Sequence, residues 1–484
     1  RPIPNPTLWT PDAPHLYDLR VRVMRGGRVI DEVSSYFGMR SIALAKDASG
    51  VTRAMLNGKP LFQYGLLDQG FWPDGLYTAP TDDALKSDIE ATKRLGFNLA
   101  RKHVKVEPDR WYYWCDKLGL LVWQDMPSGD KYIRAQDPDI TRTPESAKQF
   151  DAELKAMIDA LRNHPSIVMW VPFNEGWGQF DTARVAAWVK QHDPTRLVNS
   201  ASGWTDRGVG DVHDIHAYPG PGMPRPEEKR AAVLGEFGGL GLPVKGHTWQ
   251  AERNWGYRSF QTPEELTAAY ERLIVRMRPL IGRGLSAAIY TQTTDVEIEV
   301  NGMLTYDRAL VKMDAAKVAA ANRYLHLPPP TIVDVVPTSQ AAGQKWRYTT
   351  TKPAAGWEQT DFNDGAWQEG PGGFGTAGTP GAVVRTTWNT ADIWLRRTAD
   401  LNDVPADLHL LVHHDEDAEI YINGVLAAKV GGFVTDYGIE PISAAALKAL
   451  RPGTNHIAVH CHQTGGGQYI DVGLVRVQES VTSK

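Results

Sequence analysis

Two glutamates in this sequence stand where chemistry is possible. Glu175, in "WVPFNEGWGQ", ends the apolar run "IVMW", and Glu236, in "LGEFGG", ends the run "AVL". A carboxylate that closes a buried run, with an Asn before it and glycines around it, has a better use than solvation. Paired carboxylates suit cleavage of a glycosidic bond. One protonates the leaving oxygen, and the other stabilises or captures the oxocarbenium-like sugar. At a separation of about 5 Å and an effective dielectric near 20, two such charges repel by ~3 kcal/mol. That is roughly two pKa units, enough to keep one of them protonated near neutral pH. A gap of about 5 Å implies retention of anomeric configuration, and a wider one implies inversion.

The elements that must position this pair are legible as eight apolar runs: "LFQYGLL", "FNLAR", "LLVWQ", "IVMWVPF", "LVNS", "VHDIHAY", "AVLGEF" and "LSAAIYT". Helical patterns alternate with several of them. Leu154, Met157, Ile158 and Leu161 recur at one helical face, and Thr143-Pro144 supplies an N-cap and a first-turn proline. Gly96 stands at the stop position of an earlier helix ending at Leu95. The expected fold is α/β, a (β/α)8 barrel over residues 45–327, with a doubly wound open sheet as the alternative. Barrel enzymes place their reactive groups at the C-terminal ends of the strands. The runs end in Asp68-Gln69, in Arg101 and His103, in Asp125, in Asn174-Glu175, in His216 and Tyr218, in Glu236, and in Tyr290 leading to Gln292 and Asp295. Strands four and seven lie nearly opposite in such a ring, so Glu175 and Glu236 are expected to face each other across its mouth.

Flanking segments are β in character. Residues 1–44 read as a hairpin, "LYDLRVRVM" and "RVIDEVSSYFGMRSIAL" about Gly26-Gly27. Too small to bury a core alone, this piece is expected to be the tail of a β-sandwich. "HLPPP" is a stiff linker into residues 328–484, where "DAEIYINGVLAAKV" turns at Asn423-Gly424. A second β-sandwich or jelly roll is expected there. His456, His460 and His462 alternate on one strand, and His413-His414-Asp415 lies on another; cross-strand packing is expected ahead of metal binding. Trp388 and Trp394 are read as core before sugar platform.

Composition excludes several classes. The net charge of −5 gives no basic footprint for nucleic acid, and no apolar run is long enough to cross a bilayer. Two distant cysteines, Cys115 and Cys461, exclude a disulfide framework. No Gly-rich phosphate loop follows the first run, which disfavours a nucleotide-binding α/β protein. The chain starts at Arg1 without an apolar leader. The expectation is that any export signal has been removed or lies outside this sequence, with a periplasmic or extracellular site favoured over the cytoplasm.

In order along the chain, "LWTPDAPHLYDLRVRV", "FGMRSI", "WYYWCDKLGLLVWQDMP", "NHPSIVMWVPFNEGWGQ", "HDPTRLVNSASGW" and "LGEFGG" resemble glycoside hydrolase family 2. The resemblance spans about residues 5 to 310. It implies a retaining, exo-acting hydrolase of terminal β-linked sugars, with β-galactosides as the default substrate. The alternatives are a β-glucuronide, β-mannoside or pentoside, or a carbohydrate-binding protein whose barrel is catalytically weak. It makes the N-terminal hairpin the end of an immunoglobulin-like domain and the C-terminal sandwich a galactose-binding-like jelly roll. By motif position, Glu175 resembles the acid/base and Glu236 the nucleophile. Asn174 is similar to the asparagine that holds the sugar 2-hydroxyl, Arg101 to the arginine beside the nucleophile, and Tyr218 to the tyrosine that touches it. His103, Asp125, His216 and Asp68 line the glycone pocket in this reading. Trp177 walls the aglycone side, and Tyr290 or Trp249 supplies the sugar-stacking surface. The Asn-x-Lys motif that β-glucuronidases use for the substrate carboxylate belongs before "GMLTYDR", where this chain has "EVN". A uronide pocket is therefore disfavoured. No cofactor is required, a structural or activating divalent cation is left open, and the expected partner is a glycoside or oligosaccharide.

Overall fold

The computed structural model describes residues 3–479. Two compact units emerge, one of Arg1–Val275 with Gly284–Leu327 and one of Arg276–Arg283 with Pro328–Lys484. The first opens with the hairpin β1 (Tyr17–Arg25) and β2 (Arg28–Phe37), which turns at Gly26 and Gly27 with φ of +53° and +77°. Glycine, lacking a Cβ, adopts such a pair of positive angles at no steric cost. A three-stranded antiparallel sheet follows: β3 (Ile42–Lys46), β4 (Thr52–Leu56) and β5 (Lys59–Pro60).

Eight parallel strands come next, one for each apolar run. They are β6 (Gln63–Asp68), β7 (Leu99–Lys102), β8 (Leu121–Asp125), β9 (Ile167–Val171), β10 (Leu197–Val198), β11 (Val212–Ala217), β12 (Ala231–Gly238) and, beyond the short pair β13 (Leu240–Gly241) and β14 (Arg258–Ser259), β15 (Leu285–Thr291). Their order is β10-β9-β8-β7-β6-β15-β12-β11, so the first strand pairs with the last. That cyclic order is a barrel lacking one pairing, between β10 and β11. It is not the order of a doubly wound sheet. Leu67, Leu99, Trp123, Met169, Val171, Val233 and Ile289 fill a shared core.

Helices α1 (Asp82–Arg94), α2 (Asp109–Leu118), α3 (Pro144–Leu161), α4 (Thr182–His192), α5 (Pro263–Arg283) and α6 (Ala315–Leu325) accompany these strands. In α3 the Thr143 hydroxyl accepts the Ser146 N–H, Pro144 occupies the first turn, and Leu154, Met157, Ile158 and Leu161 are buried. Strict strand-helix alternation does not hold throughout. No helix is present between β10 and β11 or between β11 and β12. The second of those connections, "YPGPGMPRPEEKR", contains four prolines, each of which removes a helix donor and clashes with the preceding turn. The first, "NSASGWTDRGVGD", holds glycines at 203, 208 and 210, all with positive φ.

The second unit is two six-stranded sheets around one core. One sheet contains Leu408–Asp415 and Tyr469–Gln478, the other Asp392–Leu401, Gly453–His462 and the hairpin Asp417–Ile422 with Val425–Val430 about Asn423-Gly424. Trp346, Phe374, Trp388, Leu395, Leu410, Ile420, Val459 and Ile470 pack between them. Trp388 is core, and the buried Trp394 ring is covered by His460, stacked at 4.8 Å. His460 and His462 both reach Asp392 across the strands, at 2.8 and 2.9 Å. No metal-ligating group forms there among the described residues.

Ile158 is fully buried on the inner face of α3. Replacing it with Ala is expected to lower the unfolding free energy by about 2–5 kcal/mol, whereas Thr143→Ala, which removes only the cap, is expected to cost about 1 kcal/mol. Equilibrium urea denaturation of the two variants checks that order.

Candidate active site

Arg101 is the next-to-last residue of β7, and its side chain is wholly enclosed. A buried guanidinium needs several anionic or polar partners to offset lost hydration. It finds them on two other strands and in the turn after a third. Nε and Nη2 donate to the two oxygens of Asp125, at the end of β8, at 3.1 and 2.9 Å. Nη2 also donates to Asn174 Oδ1 at 2.8 Å, and Nη1 to Glu236 Oε1 at 3.2 Å. Burial acts to lower the pKa of this group, but Asp125 and Glu236 together raise it. Asn174 is held from its other end as well, donating through Nδ2 to His103 Nε2 at 3.1 Å. Burial, with Arg101 and His216 nearby, pushes His103 well down, so its ring is neutral and can accept.

Glu236 lies in β12 with four groups converging on it. Besides Arg101, the Tyr218 hydroxyl donates to Oε2 at 2.7 Å, His216 Nδ1 stands 3.6 Å from Oε2, and His103 Nε2 stands 3.6 Å from Oε1. Burial pushes the Glu236 carboxyl up; His216, Arg101 and the Tyr218 hydroxyl oppose this, while the Glu175 charge adds to it. Tyr218 in turn shares a 2.6 Å contact with Thr291 Oγ1 at the end of β15.

Glu175 is more open, and one side chain bonds it: His216, through Nδ1 at 2.9 Å. Its backbone has φ of +52°, in the left-handed region that costs a non-glycine residue about 1 kcal/mol or more. That conformation is pinned by the Glu175 N–H bond to Ser202 O at 2.9 Å and by Gly176, whose added Cβ would strike the Ile133 carbonyl. One oxygen of each glutamate and a ring nitrogen of His216 lie within 4.8 Å of one another. Such a donor set suits a divalent cation. A bound ion would have to break the hydrogen bond between His216 and Glu175.

Residues 54–228 match the family described as "Glycosyl hydrolases family 2, TIM barrel domain", and residues 1–40 match "Glycosyl hydrolases family 2". Residues 54–228 are a family 2 glycosyl hydrolase barrel domain. A putative beta-glucuronidase of Formosa agariphila is 28% identical over 268 residues, 55% of this chain and 24% of that one. A beta-galactosidase of Lactococcus lactis is 31% identical over 214 residues, 44% of this chain and 21% of that one. The chain thus spans about a quarter of the length of these curated relatives. Among solved structures, a GH2 beta-galacturonidase from Eisenbergiella tayi bound to galacturonate superposes with a TM-score of 0.53 at 20% identity, covering 68% of this chain and 61% of that one. The matched barrel segment includes Glu175 and stops short of Glu236, so the second carboxylate is placed by geometry alone.

In the barrel, Arg101, His103, Asp125, Asn174, Glu175, His216, Tyr218 and Glu236 form one connected cluster. Asp125 is fully enclosed and serves Arg101 rather than the open pocket. Asp68 is likewise occupied: Oδ1 accepts the Gly70 N–H at 2.9 Å and Oδ2 pairs with Lys102 Nζ at 2.9 Å. Tyr290, expected as a stacking surface, has no exposed area, because Phe237 and Tyr270 pack edge-on against its ring. Trp177 is 50% exposed beside Tyr132, and Trp249 meets Tyr306 edge-on.

The exposed rings in contact with the cluster are others. Tyr257 stacks on Tyr218 at 3.7 Å, Trp255 packs against Tyr257 at 5.4 Å, and Trp204 meets His216 edge-on at 5.8 Å. They come from irregular connections, where no periodicity marks them. A third carboxylate was also missed. Glu299 bonds Asn301 Nδ2 at 2.8 Å, and its segment pairs with the backbone of Trp255. Burial, opposed by Asn301 and reinforced by Glu236, Asp295 and Glu175, pushes Glu299 up to about 7.

Two measurements follow from these electrostatics. Arg101→Met leaves two buried carboxylates without their cation and is expected to cost about 3–5 kcal/mol in urea denaturation. A carboxyl whose folded-state value is raised favours folding below its unfolded value of about 4.3, and that advantage is lost as pH rises through the folded value. Glu299→Gln is therefore expected to be more stabilising at pH 8 than at pH 5, read by denaturation at both.

Proposed function

We propose that the protein is a retaining exo-glycosidase that removes a terminal β-linked sugar, with Glu175 as acid/base and Glu236 as nucleophile. The single observation that carries this is the closeness of the pair: carboxylate oxygens of the two glutamates lie within 4.8 Å. A gap of about 5 Å leaves room for a covalent sugar but not for an interposed water.

The unequal surroundings divide the labour. Arg101 and Tyr218 donate to Glu236, which favours its anion. Glu236 attacks the anomeric carbon while Glu175 gives its proton to the departing oxygen, so the C–O bond breaks and a neutral alcohol leaves. Water, deprotonated by Glu175, then displaces Glu236 and restores both groups. Asn174, held by Arg101 and His103, is placed to bond the sugar 2-hydroxyl. Tyr257, Trp255 and Trp204 are placed to flank the ring.

The names of similar proteins divide between galactosides and uronides, so a β-galactoside is not singled out and the reading stays with a terminal β-linked sugar. Glu299 supports an uncharged glycone; the galacturonate-bound relative supports a uronide. We further propose that residues 1–44 end an immunoglobulin-like domain, that 45–327 form the catalytic barrel and that 328–484 form a galactose-binding-like jelly roll. The family match over residues 1–40 and the two-sheet core support these divisions.

A panel of aryl β- and α-glycosides, uronides included, tests the function. Glu175→Gln and Glu236→Gln are each expected to reduce kcat by about 1000-fold or more. Proton NMR of the reaction is expected to show the β-anomer as first product. Either variant keeping most of its activity, or an α-anomer appearing first, would refute the assignment. Sugar binding without turnover on the whole panel would select the carbohydrate-binding alternative.

A further inference from the structure

Asp214, in β11, is a buried carboxylate that takes no part in the chemistry above. Its hydrogen bonds tie it to both glutamates. Oδ1 accepts the N–H of Gly235, the residue before Glu236, at 2.6 Å. Oδ2 accepts from Ser202 Oγ at 2.7 Å and from Asn199 Nδ2 at 2.6 Å. A Cβ at position 235 would collide with both carboxylate oxygens, so glycine there is required by their close approach. Among the described residues no lysine, arginine or histidine forms an ion pair with Asp214.

Ser202 is the informative link. Its carbonyl accepts the Glu175 N–H, and its hydroxyl oxygen also stands 2.7 Å from His216 Nε2. A hydroxyl has one proton to give. Asp214 Oδ2 has none, so the Ser202 proton goes to it. The Ser202 oxygen is then an acceptor, and the proton on that side must sit on His216 Nε2. With Nε2 protonated, the other ring nitrogen, Nδ1, is the one that faces Glu175 Oε1 at 2.9 Å. The proton that Glu175 gives and takes therefore moves on an edge where the imidazole can both accept it and return it. The opposite tautomer would set two acceptors, the bare Nε2 and the Ser202 oxygen, against each other.

We propose that Asp214 is a positioning residue that fixes the tautomer of His216 through Ser202 and the backbone of Glu236 through Gly235. One buried carboxylate thereby registers both halves of the catalytic pair. The role resembles that of any acid that orients a working imidazole from behind, with a serine hydroxyl interposed. The inference rests on Glu175 being the acid/base, and its test has one arm that needs no activity.

The first arm is ¹⁵N NMR of histidine-labelled protein, with the His216 signals assigned by their loss in His216→Asn. The wild type is expected to show Nε2 protonated, and Ser202→Ala to show a mixture of tautomers. A bare Nε2 in the wild type, or an unchanged signal in Ser202→Ala, would overturn the proposal whether or not the chain hydrolyses a glycoside. The second arm is kinetic, on whichever aryl glycoside is turned over. Ser202→Ala and Asp214→Asn are each expected to lower kcat by about 100-fold with KM within about twofold. Because both act through the same imidazole, the double variant is expected to lose little more than Asp214→Asn alone. Fully additive losses, or a rise in KM without a fall in kcat, would mean that the residues merely support the fold. Absence of hydrolysis by the wild type would defeat the proposed function and leave the NMR arm to decide the tautomer.

Discussion

The architecture of the mouth depends on one buried cation. Arg101 is enclosed on all sides, and stripping a guanidinium of water costs several kcal/mol unless its donors are met. Its partners arrive from β8, from the turn after β9 and from β12, so a single side chain holds three other barrel strands in register at their C-terminal ends. No local segment could supply this, since the partners are 24, 73 and 135 residues away along the chain. Barrel order and site assembly are in this sense the same event.

From that anchor the two carboxylates acquire different characters. Glu236 is ringed by donors on the enclosed side, whereas Glu175 hangs on one imidazole at the open side and on a left-handed backbone held by Ser202. The difference is one of surroundings, because the side chains are identical. His216 couples them, standing at 2.9 Å from one and 3.6 Å from the other. Asp214 beneath it, and Gly235 beside Glu236, show the organisation continuing behind the reacting groups. The mouth is also more acidic than a simple pair, since Glu299 adds a third carboxyl that, among the described residues, has an amide but no ion-paired cation against it.

Much of this was legible in the residues. Each apolar run became a barrel strand because a buried parallel strand needs nearly continuous apolar character, which few other elements require. The residues closing those runs mostly gathered into one cluster, because strand ends in a barrel share one rim. Tyr290 is covered for a related reason: it lies inside the run "LSAAIYT", and alternation along a strand does not say which neighbour will cover a ring. Asp68 and Asp125 looked like pocket acids, and whether an acid faces solvent or a lysine or arginine is decided by residues far away in sequence.

The sequence by itself determined the strands, their apolar interiors, the α3 cap and the two glutamates at strand ends, because each depends on neighbours within one turn or one pleat. Only the tertiary structure decided the gap between Glu175 and Glu236, the partners of Arg101 and the appearance of Tyr257, Trp204 and Glu299 at the rim. Those features depend on how a closed ring of strands brings distant loops together. Distance in space, unlike periodicity, leaves no local mark along a single chain.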